Sequence, residues 1–159
     1  MILSIYTGQD NEMLRRVAKP VKKITKDTLK LIKNMKDTLA HASGLGLAAP
    51  QVGVSERILL ANFQYGKKVG EKFALVPLIN ANIIAHSEEE VIGVEGCLSL
   101  PEFYAPVKRY RDITVHYLDE RGEEQILELS DLNARIIQHE IDHLDGKLFV
   151  DYLDASTIG

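Results

Sequence analysis

The sequence predicts an α+β domain: mainly antiparallel β-sheets packed around a buried C-terminal metal-binding helix, with an amphipathic helix near the N-terminus. Three observations predict it. Leu29, Ile32, Met35 and Leu39 recur at helical spacing between Thr25 and Ser43. Short runs rich in β-branched and aromatic residues fill the middle of the chain. Leu132, Ile136, Ile137, Ile141 and Leu144 give the last helix apolar surface nearly all round, and such a helix is buried.

Taken in order, the first long element is the helix over 25–43. Strands follow over 57–63, 73–79 and 82–85. Ile113-Thr114-Val115-His116-Tyr117 alternates as a half-buried strand should, and Asp119-Glu120-Arg121-Gly122 turns the chain into a second strand over 124–129, a hairpin. Ser130 or Asp131 can cap the final helix, and Gly146 stands where a helix end favours a left-handed residue.

The 159 residues fit a single domain over 1–159, with 45% hydrophobic content ordinary for a globular chain. No apolar run reaches the ~18 residues of a membrane span, so no membrane partner is expected. The start lacks a basic segment followed by a long apolar one, and the only cysteine cannot form an internal disulfide; both point to the cytoplasm. The net charge of −4 argues against a specific nucleic-acid surface. Lys19, Lys22, Lys23, Lys26, Lys30, Lys33 and Lys36 cluster early and read as the wet side of a helix, with transient ribosome contact the alternative. A monomer is expected.

The chemistry concentrates in Gln138-His139-Glu140-Ile141-Asp142-His143. Residues i and i+4 share one helix face, so His139 and His143 can grip one metal ion, with Glu140 close enough to move a proton. Two histidines do not complete such a site, which takes three protein ligands and keeps one position open. No His follows His143, Phe149 cannot ligate, and no Glu follows Glu140. Asp145 lies too close along the helix, while Asp151 and Asp154 fall in a short tail. Upstream stand His41, His86, His116 and Cys97. The three histidines read as surface residues at strand or element ends. Cys97, in Glu95-Gly96-Cys97-Leu98-Ser99, is either a thiolate ligand or an inert buried thiol. A third segment, Gly44 to Gln51, joins two glycines allowing close backbone approach to an amide at Gln51. No Lys-Ser or Lys-Thr follows its glycines, so it is not a phosphate loop.

Together and in this order, Gly44–Gln51, Glu95–Ser99 and Gln138–Leu144 resemble the peptide deformylase family. The resemblance extends through Leu14-Arg15, Ala18-Lys19-Pro20-Val21 and Gly146-Lys147-Leu148-Phe149-Val150-Asp151-Tyr152-Leu153, and Leu98-Ser99-Leu100-Pro101 looks like its common bacterial, type I-like class. Many bacterial members continue into a further helix after Asp-Tyr-Leu, whereas this chain stops at Gly159. The resemblance implies removal of the formyl group from N-formylmethionyl nascent polypeptides, with release of formate. It implies Cys97, His139 and His143 as ligands of one divalent transition metal, iron(II) first, with zinc, nickel or cobalt able to substitute. It implies Glu140 as general base and acid, the Leu98 N–H and the Gln51 amide as oxyanion donors, and Glu95 as the carboxylate that orients the cysteine loop. The peptide is expected to add a strand near Gly46, its methionine entering a pocket of Leu45, Leu132 and Ile136 with Arg135 at the rim. A metallopeptidase using the same helix, or a structural metal domain, are the rival readings. The first would cleave unformylated peptides, and the second would need no open coordination position.

Overall fold

The computed structural model describes residues 1–64 and 74–153. A short helix α1 (Glu12–Arg15) precedes the long α2 (Lys26–Ala42). The strands are β1 (Gly46–Ala48), β2 (Ile58–Phe63), β3 (Ala74–His86), β4 (Glu90–Cys97), β5 (Leu100–Tyr110), β6 (Asp112–Leu118) and β7 (Glu124–Ser130). Helix α3 (Asp131–Leu144) follows, and 3₁₀ turns at Ala49–Val52 and Phe149–Tyr152 complete the described fold. The α+β expectation is met: β1-β2-β3-β6-β7 form one antiparallel sheet in that order, and β4 and β5 form a separate two-stranded ribbon.

Helix α2 begins where its sequence says it should. The Thr28 N–H donates to Thr25 Oγ1 at 3.3 Å, and the Thr25 N–H donates back to Thr28 Oγ1 at 3.1 Å. Its buried face of Ile32, Met35 and Leu39 packs on Leu47, Ile58, Leu60 and Ile79. The alternate residues of β2, Leu59, Ala61 and Phe63, face the other way and meet Ala134, Ile136, Ile137 and Leu144 of α3. Strand β2 is therefore covered on both faces, which is why its sequence reads as a continuous apolar run.

Two sequence expectations change. The runs 73–79 and 82–85 are one strand, β3, with register shifts between Ile79 and Asn82 and between Ile83 and Ala85. Phe73 itself lies outside the described residues. The irregularity centres on Asn80, at φ 54°, whose side-chain amide bonds both the N–H and the carbonyl of Val21 (2.8 and 2.9 Å). The ribbon β4–β5 and the short β1 add strands that alternation did not announce. At the start of α3, Ser130 occupies the cap position without a side-chain cap bond, and Asp131 sits at φ 53°. Asn133 instead pins this end, exchanging bonds with the backbone of Gln64 (2.8 and 3.1 Å). The other end behaves as expected. Gly146 has φ 75°, the Lys147 N–H reaches the Asp142 carbonyl at 2.8 Å, and a β-carbon at 146 would stand 2.5 Å from the Arg15 carbonyl oxygen. Among the described residues no helix is long and apolar enough to cross a membrane.

Candidate active site

Helix α3 runs between the large sheet and the ribbon, and its histidine face looks toward the end of β4. Gln138 fixes the helix there: its amide accepts from the Tyr110 N–H (3.0 Å) and donates to the Tyr110 carbonyl (2.9 Å). One turn apart on α3, the rings of His139 and the buried His143 lie 5.1 Å apart between centroids, inclined at 66°. The β4–β5 turn brings Cys97 to them, its Sγ 3.2 Å from His143 Nε2. Ligand atoms of Cys97, His139 and His143 all lie within 4.8 Å of one another, a group able to hold a metal ion. His41 and His86 are exposed, and His116 is half-buried beside Glu124 on the outer sheet, so the surface reading of these three stands.

The other predicted residues assemble around this group. Gln51 is buried, and its Oε1 accepts from the Ala48 N–H at 2.9 Å, so its NH₂ is turned toward Ser99 Oγ (3.1 Å) and Cys97 Sγ (3.7 Å). Leu98 lies in the turn between β4 and β5, its side chain against Gly44. Glu140 is buried, and Gly46 makes room for it: a β-carbon at 46 would stand 2.5 Å from Glu140 Oε2. A cleft of about 450 Å³ opens over Cys97, His139 and Glu140, walled by Leu45, Gly46, Leu132, Arg135 and Ile136 on one side and Val94, Gly96 and Tyr104 on the other.

Glu95, two residues before Cys97 on β4, is anchored on several sides: its Oε1 accepts from His139 Nδ1 at 2.8 Å, while Arg109 binds both its oxygens (2.8 and 2.9 Å) and Arg135 adds a bond of 2.7 Å. Arg109 continues to Asp142 (2.6 Å), which also accepts from the Tyr152 hydroxyl (2.8 Å). Sequence reading missed Arg109, Asp142 and Ser99. Arg109 shares the inward face of β5 with Ala105 and Val107, a strand that the sequence did not announce.

The electrostatics follow from this burial. Desolvation alone would raise Glu95, but the bonds from Arg109 and His139 outweigh it and hold the carboxyl at about 2. Burial would lower His139, yet its bonds to Cys97 and Glu95 raise it to about 10. Burial and the neighbouring His139 charge drive His143 well below its usual value. Burial pushes Glu140 up to about 7, against the pull of His139. Glu140 Oε1 and His143 Nδ1 are buried without a hydrogen-bond partner among the described residues. The Glu140 orphan, in the wall of the cleft, marks a site built for something besides protein; His143 Nδ1 lies across the ring from the Nε2 that faces Cys97. A thiol and two imidazole nitrogens suit a borderline divalent ion, which would take the proton's place on His139 Nε2 and leave Nδ1–H bonded to Glu95. The residues fit the group.

The model of polypeptide deformylases matches residues 2–157. The chain belongs to the polypeptide deformylase family. A peptide deformylase of Rickettsia typhi is 45% identical over 154 residues, 96% of this chain and 87% of the relative. The crystal structure of the Ehrlichia chaffeensis peptide deformylase in complex with actinonin superposes with a TM-score of 0.90 at 39% identity, covering 98% of this chain and 90% of that one. A class I type b peptide deformylase from Acinetobacter baumannii, bound to Met-Ala-Ser, gives a TM-score of 0.88 at 31% identity, over 96% and 99% of the two chains. The chain is thus a hydrolase that removes the formyl group from nascent peptides, and the family's metal dependence is matched by the Cys-His-His group of this deformylase.

Proposed function

We propose that the enzyme hydrolyses the formyl amide of N-formylmethionyl peptides with one divalent transition metal held by Cys97, His139 and His143, iron(II) by preference and zinc, nickel or cobalt as substitutes. The observation that supports this best is the meeting of one sulfur and two imidazole donors within 4.8 Å, two of whose residues, Cys97 and His139, line the cleft together with Glu140 and Gln51. When bound, the ion supplies Lewis acidity and lowers the pKa of a coordinated water toward ~7. Glu140 takes the proton of the attacking water and passes it to the departing amine as the C–N bond breaks and formate leaves. Its buried carboxyl suits that exchange, since a general acid–base group works best near the operating pH. The Gln51 NH₂, held by the Ala48 bond, and the Leu98 N–H bind the oxygen on which negative charge grows.

The substrate lies extended against β1, a free edge of the large sheet, and its first side chain enters the apolar wall of Leu45, Leu132 and Ile136. The relatives bound to actinonin and to Met-Ala-Ser support a short peptide as occupant of this cleft. The guanidinium of Arg135 is spent on the ribbon, so it shapes the rim without offering a free charge. A reduced cysteine ligand fits work in the cytosol. Formate release from formyl-Met-Ala-Ser by metal-loaded protein tests the reading. Turnover lost in Glu140→Gln with metal retained, and metal lost in Cys97→Ala, are the expected results. Cleavage of unformylated peptides without formate release would favour a metallopeptidase instead.

A further inference from the structure

Arg135 stands one helical turn before His139 on α3, and both side chains reach the same carboxylate. His139 Nδ1 meets Glu95 Oε1 at 2.8 Å, and Arg135 Nη1 meets Glu95 Oε2 at 2.7 Å. The rest of the guanidinium bridges the two strands of the ribbon: Nη1 donates to the Val107 carbonyl of β5 (2.9 Å) and Nη2 to the Val91 carbonyl of β4 (2.7 Å). The chain makes room for this fork. A β-carbon at Gly93 would stand 3.0 Å from both Cζ and Nε of Arg135, so any larger residue there would push the guanidinium back by a few tenths of an ångström. Arg109 also binds Glu95, but from β5 of the same ribbon, and its own link to α3 runs to Asp142 on the far side of His139. Arg135 instead reaches Glu95 from the helix that carries the histidines.

We propose that Arg135 is a positioning residue that clamps the β4–β5 ribbon to α3, so that Glu95 holds the His139 ring with Nε2 aimed at the metal, and that Gly93 exists to admit it. The inference rests on the reading of His139 as a metal ligand. A planar five-donor fork serving a carboxylate and three carbonyls, those of Val91, Val107 and, at 3.4 Å, Gly93, has no substitute among the other side chains. Loss of a carboxylate that orients a ligating imidazole costs metal affinity even when all direct ligands remain.

Cobalt(II) affinity, measured by chelator competition on folded protein, tests the proposal. Arg135→Met is expected to weaken cobalt binding roughly 10–100-fold, to alter the visible spectrum of the bound ion, and to lower kcat more than it changes KM. Arg135→Lys, which keeps the charge but offers a single point donor, should recover part of the affinity. Glu95→Gln should weaken binding similarly, and the double variant should be little worse than either single one, because both break one link. Gly93→Ala presses on the guanidinium without removing it and should give a smaller loss in the same direction; it keeps the proposal testable if Arg135→Met does not fold. A lowered thermal midpoint with unchanged cobalt affinity and spectrum would mean a merely structural arginine and would overturn the proposal, as would full additivity with Glu95→Gln. If His139→Ala leaves wild-type cobalt affinity intact, the metal reading itself fails, and this inference with it.

Discussion

Replacing Gly46 by alanine puts the reach of Glu140 to a quantitative test. The backbone there does not need glycine, since Gly46 is not among the positive-φ positions. What glycine supplies is space. An added β-carbon would sit 2.5 Å from Glu140 Oε2 and 2.9 Å from both Cδ and Cγ, where non-bonded atoms prefer roughly 3.5 Å, so the carboxyl must retreat by about 0.5–1 Å. It is buried in a close-packed wall and has little room to go. Misplacing a catalytic group by about 1 Å costs on the order of 10²-fold in rate. The packing strain is worth about 1–3 kcal/mol, partly offset by the roughly 0.5–1 kcal/mol gained on removing glycine from a strand. Gly46→Ala is therefore expected to fold, to lose at most about 2.5 kcal/mol of stability, to retain its metal, and to release formate with kcat down roughly 10²-fold. Steady-state formate release together with urea unfolding measures both quantities. Wild-type turnover from a folded Gly46→Ala would refute the argument that Glu140 acts from this position.

Other outcomes follow from the same geometry. Glu140→Gln, isosteric but unable to carry the proton, should lower kcat by roughly 10²–10⁴-fold with metal content unchanged by elemental analysis. Gln51→Leu removes a side-chain donor to the developing oxyanion and should cost roughly 10²–10³-fold in kcat with KM little altered, read by the same formate assay. Acid stability depends on Glu95: its carboxyl is lowered from 4.5 to about 2 on folding, so its contribution is fully present above about pH 4.5 and disappears as pH falls toward 2. A shift of that size is worth about 3 kcal/mol. Urea titrations of the metal-free protein across this range should show the decline, and Glu95→Gln should flatten it.

The large sheet and both long helices were legible in the sequence because their patterns obey the ordinary rule of apolar inside and polar outside. The β4–β5 ribbon inverts that rule. Its inner face carries Glu95, Cys97 and Arg109, while Ile92, Val94 and Tyr104 face solvent at 64%, 70% and 70% exposure. Pro101 and Pro106 further disguise β5 as loop. Those inversions are what the site demands: charged groups buried against one another around a histidine, and apolar side chains left to wall a cleft. The two histidines of the donor group were readable because a helix fixes their spacing. Cys97 became readable only through the ordered motifs around it, since nothing in a lone cysteine says which distant helix it will meet. Arg109, and the partners of an Arg135 foreseen only at the pocket rim, were hidden for the same reason: Glu95 lies 14 and 40 residues away from them along the chain. Glu95 shows the difference between recognising a residue and knowing its work, because only the fold reveals the histidine and the two arginines that its carboxylate meets.

X-ray absorption at the metal edge of the loaded enzyme tests the central claim most directly. One sulfur at about 2.3 Å, two imidazole nitrogens at about 2.0–2.1 Å and a further light-atom ligand from solvent are expected, with the sulfur signal gone in Cys97→Ala. A first shell without sulfur, or one closed by four protein ligands, would contradict it.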